Sequence, residues 1–244
     1  MNDLRGWAGP GPRGPRWEQH VLGPGHLDAL ALPIGDDGVV IGTDGQGASA
    51  VLGLFRSRAY EVVLVGGIWT AQLLALRAAA IGARVVVETA RGSSWSPLAQ
   101  AAGGGQACVT VHQVGRIGPQ GASVTTPVLV VRDCGARPAR GRLSPGPWQT
   151  MLTLLPFLDP AFERLLTAAD VVGVQRVAPE EAELVGRALR LPATEVTALS
   201  GLADGVTLWG DRRTRMLVRS GATTAEAQLL GQARRVDRDP VRGE

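Results

Sequence analysis

One stretch constrains this chain more than any other. Residues 60–88, YEVVLVGGIWTAQLLALRAAAIGARVVVE, read as strand, helix, strand. Residues 61–65 are a near-continuous apolar run, as expected of a strand buried on both faces. Leu73, Leu76, Ala80 and Ile81 recur at the spacing of one helical face over residues 69–81, and Gly82 is a natural stop. Residues 84–89 supply the second strand. Two strands joined by such a crossover run parallel in one sheet, so this unit commits the chain to an α/β fold.

The rest of the sequence extends that reading. Residues 39–42 and 50–55 are two apolar runs around Asp44-Gly45, which predicts a hairpin ahead of the core. A helix capped by Ser93 or Ser94 runs to about Ala102, and strands are expected at 107–111, 127–131, 149–155 and 169–175. Asp159 followed by Pro160 opens a helix over 160–169, and Pro179-Glu180-Glu181 opens another over 179–189, with its acids at the positive end of the helix dipole. A second hairpin is expected at 205–211 and 215–219, and a closing helix at 223–231 with Thr223 or Thr224 and Glu226 at its start. The predicted class is α/β: a Rossmann-like, mostly parallel sheet with flanking helices, preceded by a β-hairpin. Its organisation is a Gly/Pro/Arg-rich flexible arm at 1–27, one domain at 28–231, and a charged tail at 232–244 that is expected to fray. A long loop rich in Pro and Gly, carrying Arg137, Arg140 and Arg142, covers 133–147.

Composition narrows the chemistry. Aromatic residues are only 4% of the 244, so the core must be built from Ala, Val and Leu. There is no lysine: all 25 basic residues are arginine. A phosphate-binding P-loop needs a lysine at the β- and γ-phosphates, and a pyridoxal enzyme needs one for its Schiff base, so neither is expected. The net charge of +3 is small and the arginines are scattered among acids, which argues against a nucleic-acid partner. Cys108 and Cys134 read as buried, reduced thiols. Cys108 and His112 share one face of a strand, but with His20 and His26 far off no metal site is expected.

No secretory leader is recognisable, and the longest apolar stretch, 62–81, is interrupted by Gly66, Gly67, Gln72 and Arg77. The expected location is the cytoplasm. The Asp36-Asp37 and Glu180-Glu181 pairs read as a turn and a helix start. Arg212-Arg213, followed by Arg215, forms a small basic patch in a turn.

A dinucleotide fingerprint is half present. Gly66-Gly67-Ile68-Trp69-Thr70-Ala71 has the first glycine of G-x-G-x-x-G and an alanine for the third. Ile68 replaces the middle glycine and occupies the space a pyrophosphate needs. Glu88 falls about 20 residues on, where a ribose-binding acid belongs. Gly66, Gly67 and Glu88 are therefore candidate cofactor-binding residues only under the reading that the chain binds a nucleotide. No G-x-S-x-G is present, and no residue is assigned a catalytic role.

With these stretches in view, the chain resembles the cytosolic carboxy-terminal domain of the EccE-like family of actinobacterial type VII (ESX) secretion proteins. The resemblance runs in order through VVIGTDGQGASAVLGLF, VVLVGGIWTAQLLALRAAAIGARVVVETAR, PWQTMLTLL, ADVVGVQRVAPEEAELVGRALRLP and GVTLWGDRRTRMLVRSGATTAEAQLLG, over roughly residues 38–231. It implies a Rossmann-like domain in a structural subunit of a membrane-embedded export machine, with no catalytic residues and no cofactor to carry over. Other secretion subunits are the partners it implies, and the cytosolic face of the inner membrane the location. Family members usually begin with a pair of membrane helices, where this chain begins with the polar arm. The expected function is a non-enzymatic structural or accessory component acting through protein contacts. The alternative is a nucleotide- or dinucleotide-binding enzyme or sensor with a degenerate glycine loop. A further expectation is weak peripheral membrane contact through Arg5, Arg13 and Arg16 with Trp7 and Trp17.

Overall fold

In the computed structural model, residues 38–102, 107–135 and 146–235 are described. The arm at 1–27, with its expected membrane contact, and the centre of the 133–147 loop lie outside them. The hairpin forms as expected: β1 (Val39–Thr43) pairs antiparallel with β2 (Ser49–Leu52). Its turn is held by Asp44, whose Oδ1 accepts the amides of Gln46 at 2.8 Å and Ala48 at 2.9 Å. The second strand stops at Leu52, short of the expected 55.

The α/β core follows. Strand β3 (Tyr60–Val65) leads into α1 (Ile68–Ala80), then β4 (Arg84–Thr89), α2 (Gly92–Ala101), β5 (Val109–His112) and β6 (Val128–Asp133). Strand β7 (Gln149–Leu155) precedes a 3₁₀ turn (Pro160–Phe162), α3 (Glu163–Ala168) and β8 (Val171–Val174). Helices α4 (Pro179–Leu189) and α5 (Ala193–Leu199), strands β9 (Val206–Gly210) and β10 (Arg215–Arg219), and α6 (Thr224–Leu230) complete it.

These ten strands make one sheet, ordered β2-β1-β10-β9-β8-β3-β7-β6-β4-β5. Six neighbours, β8 through β5 in that order, are parallel. The strands β9, β10, β1 and β2 continue the sheet antiparallel. The expected fold class holds: a mostly parallel sheet flanked by helices, with the hairpin joined to its antiparallel end. One relation is not the one a mononucleotide-binding half would give. There β3 and β4 would be neighbours; here β7 and β6 stand between them.

The parallel strands are covered on both sides, which is why they read as unbroken apolar runs. Val62 and Leu64 face a core shared with Trp69, Leu73 and Ala75 of α1 and Trp95 and Leu98 of α2. Val63 and Val65 point to the opposite face, against Leu166 of α3, Val185 of α4 and Leu199 of α5. A smaller cluster around Val86, Val128, Val130 and Met151 is roofed by Ile117 and Ala122 of the β5–β6 loop.

Several local expectations need correction. Neither Ser93 nor Ser94 caps α2; its N-cap is Arg91, without a side-chain cap bond. The expected helix over 160–169 divides into the 3₁₀ turn and α3, although Asp159 caps its start as read, accepting the amide of Ala161. Helix α5 was not expected. The expected fraying from 232 onward fails over residues 232–235, where Arg235 is only 9% exposed. No helix of the described residues is long and apolar enough to cross a membrane.

Candidate functional site

Ligands of open α/β sheets bind outside the carboxyl ends of the strands, where neighbouring connections leave for opposite faces. In this sheet β3 is such a place. Its following helix α1 packs on one face, while α3, which follows the neighbouring β7, packs on the other. The loops that meet there are Gly66-Gly67 after β3, Pro156 after β7, and Gln175-Arg176 after β8.

That crevice is filled by the protein itself. The Gly67 amide donates to Gln175 Oε1 at 2.7 Å, and Gln175 Nε2 donates to Thr70 Oγ1 at 2.8 Å. Gln175 is 2% exposed, so this amide bridge is part of the interior. Residues 231–235 then cross over the junction. Trp69 Nε1 donates to the Gly231 carbonyl at 3.0 Å. The Arg235 guanidinium donates to the Arg176 carbonyl at 2.8 Å and the Pro156 carbonyl at 2.9 Å. One arginine thus ties together the loops following β7 and β8.

The two glycines have a reason that is not a phosphate. A Cβ at Gly66 would collide with the Gln175 amide, and one at Gly67 would lie 2.6 Å from the Arg235 carbonyl oxygen and 2.9 Å from that of Arg234. Close approach is what Gly permits, and here the approaching group is the chain's own backbone. The positive end of α1 is where a phosphate would dock in a nucleotide fold. Two protein carbonyls occupy that ground. The junction also contains only Gly66 and Gly67 between the strand and the helix, too short for the looped cradle of G-x-x-x-x-G-K-[ST].

Glu88 sits elsewhere. Three strand spacings separate β3 from β4, about 14 Å at roughly 4.8 Å each, so the structure does not bring Glu88 to the two glycines. Its carboxylate is buried, accepting Arg132 Nε at 2.8 Å and the Gly115 amide at 2.6 Å. Beside it, at the end of β6, Asp133 is fully buried. Arg91 donates to both of its oxygens, and Trp95 Nε1 (2.8 Å) and Thr89 Oγ1 (3.1 Å) complete its shell. Each carboxylate is anchored by an arginine, and together they tie α2 and the β5–β6 loop to the strand ends.

Sequence reasoning missed Gln175, Arg235 and the Asp133 cluster. An acid closing the apolar run Val-Leu-Val-Val-Arg-Asp was the available signal for Asp133; Arg235, inside a charged run, offered none. Neither Cys108 nor Cys134 is in a disulfide, and both are half-buried, less covered than the sequence suggests. They lie at opposite ends of the parallel strands, before β5 and after β6. His112 shares Thr110 as a neighbour at 3.2 Å, and no group of three metal-ligating side chains occurs among the described residues.

No protein-family model matches this chain, and no curated protein does. Among solved structures, it is similar to VirB4 of Thermoanaerobacter pseudethanolicus, with a TM-score of 0.54 and 10% sequence identity. The match covers 78% of this chain and 98% of that one. At this identity the likeness concerns the fold.

Proposed function

We propose that this chain is a non-enzymatic structural or accessory component of a type VII (ESX) secretion system, working through protein–protein contacts at the cytosolic face of the membrane. The observation that carries this reading is the crevice at the end of β3, occupied by residues 231–235 and tied shut by Arg235. The place where an open α/β sheet usually takes a small molecule is here used to stitch loops together. That leaves the surface for the chain's work.

The stretches that resemble the EccE-like family support the same reading. They coincide with β1–β2, β3–α1–β4, β7, β8–α4 and β9–β10–α6, which is the frame of the sheet and not a constellation of reactive side chains. The likeness to VirB4 supports the fold and is silent on role. The nucleotide-binding alternative asks for more: residues 231–235 would have to leave, and Gly66 and Gly67 would have to act without Glu88 beside them.

Affinity purification of the tagged chain from its native host tests the proposal. Other subunits of the secretion machine are expected in the eluate, reproducibly and in fixed proportion. Their consistent absence, under detergent conditions that keep such machines intact, would count against it.

A further inference from the structure

The antiparallel end of the sheet forks. Strand β10 pairs with β9 along its whole length, from Arg215 opposite Gly210 to Arg219 opposite Val206. On its other side it meets β1 at a single position, Thr43 opposite Arg219. Among the described residues, no strand pairs with the outer edge of β10 from Arg215 to Val218. A strand edge presents backbone donors and acceptors ready for an added strand, and natural proteins usually block such edges.

The side chains along this edge have a pattern. Val218 is buried in the core that α1 shares and Met216 packs against that core, so Arg215, Leu217 and Arg219 form the row on the opposite face. Leu217 is opposite Leu208, is 49% exposed, and lies beside an apolar hollow of about 250 Å³ walled by Leu199 and Leu202. Arg212 and Arg213, both exposed, stand in the turn that begins the strand. The acids nearby are already engaged. Asp211 accepts the amides of Arg213 and Thr214, which close the turn and hold its carboxyl below the ordinary value, and Glu195 pairs with Arg215 at 2.9 Å. Arg212 and Arg213 at one end, the exposed Leu217 further along, and an edge that no described strand covers form the complement of a particular ligand.

We infer that this edge receives an extended segment of a partner protein, which adds a strand to β10, places an acidic residue beside Arg212 and Arg213 and seats an apolar side chain beside Leu217. Main-chain bonds would supply affinity and the alternating side chains the selectivity, as in other strand-addition complexes. Opposite charges directly across a strand pair are favourable and like charges are not, so the arginines select an acidic strand over a basic one. This inference rests on the reading that the chain acts through protein contacts, and it names the surface and the partner's chemistry.

The test uses the full chain and three probes: a synthetic peptide alternating Glu with Val and Leu, its Lys-for-Glu counterpart, and phosphatidylglycerol vesicles. The acidic peptide is expected to bind in a salt-sensitive way and to slow amide exchange at residues 215–218. Leu217→Asp and Arg213→Glu should each weaken it about tenfold, the loss typical of a central anchor. Arg213 is in an exposed turn, so its variant carries the test if Leu217→Asp melts early. No binding of the acidic peptide, equal binding of the basic one, or protection elsewhere would overturn the inference. So would protection of these amides that rises with protein concentration alone, which would make a second copy the occupant, or vesicle capture through the same arginines. The purification experiment stands apart: a chain that recovers secretion subunits but ignores the peptide keeps its function and loses this edge.

Discussion

Gly67 shows how a single residue changes meaning once its neighbours are known. In the sequence it belongs to a broken dinucleotide loop; in the fold it makes room for the backbone of residues 234 and 235. Gly67→Ala should therefore act on that segment. It is expected to cost about 1–3 kcal/mol by overpacking and to speed amide exchange most over residues 231–235, beyond the uniform rise that the lost global stability brings to the core. Glu88 makes the complementary case. Removing it leaves Arg132, whose side chain is 13% exposed, without its buried carboxylate. Glu88→Ala is expected to lower stability by about 3 kcal/mol, read as a lower urea midpoint, whether or not nucleotide is present. A variant of unchanged stability would mean that Glu88 is not the structural anchor described.

Titration gives a further residue-scale expectation. Arg77 donates to both oxygens of Glu226, at 2.7 and 2.9 Å, and holds its carboxyl below the ordinary value of 4.5. A depressed folded value means that the unfolded chain takes up the proton first as pH falls. The pair's contribution is thus fully present above the ordinary glutamate value and is lost as pH drops through the lower folded one. Urea unfolding from pH 7 downward should show wild type losing stability below about pH 4.5, while Glu226→Gln shows a shallower loss across the same window. Parallel profiles would remove this ion pair from the account.

At the scale of elements, most of the fold was legible because each element carries its own signal. The apolar run of β3, the proline and paired glutamates that open α4, and the Thr223-to-Glu226 spacing of α6 all announce themselves locally. The last forms a reciprocal cap, Thr223 Oγ1 accepting the Glu226 amide and Glu226 accepting the Thr223 amide. Thr223→Ala is expected to cost about 1 kcal/mol, measured as a melting temperature lower by about 2–4 °C. No change in melting would show that the cap is dispensable. Helix α5 escaped notice because it is seven residues long, lacks a side-chain cap, and places Thr and Val where better helix formers would be expected. It is held by packing of Leu199 against the second core rather than by propensity.

Strand order was illegible for a different reason. Adjacent strands are chosen by contacts between residues far apart in the chain, so nothing within 60–89 reveals that β7 and β6 separate β3 from β4. The candidate site depended on that order. Under the nucleotide-binding alternative Gly66 and Gly67 would share a site with Glu88, and the sheet keeps them apart. Arg235 was hidden by its company: in a charged run it reads as solvated, yet its guanidinium satisfies two carbonyls in the interior.

Among the described residues, a parallel sheet with residues 231–235 seated at the end of β3 is joined to an antiparallel end where no strand pairs with β10 over 215–218. The proposed function rests on the first feature and the proposed partner strand on the second. Thermal unfolding of the intact protein with ATP, ADP, NAD and NADP, each titrated to saturation, tests whether the end of β3 takes a nucleotide. A ligand at about 100 times its Kd adds roughly 2.7 kcal/mol of stability, a rise of several degrees for a domain of this size. With residues 231–235 seated at the end of β3, the melting temperature is expected to stay flat with every one of them. A saturable rise with any one, abolished by substitution at Gly67, would show that residues 231–235 give way to a nucleotide and that the crevice is a binding site.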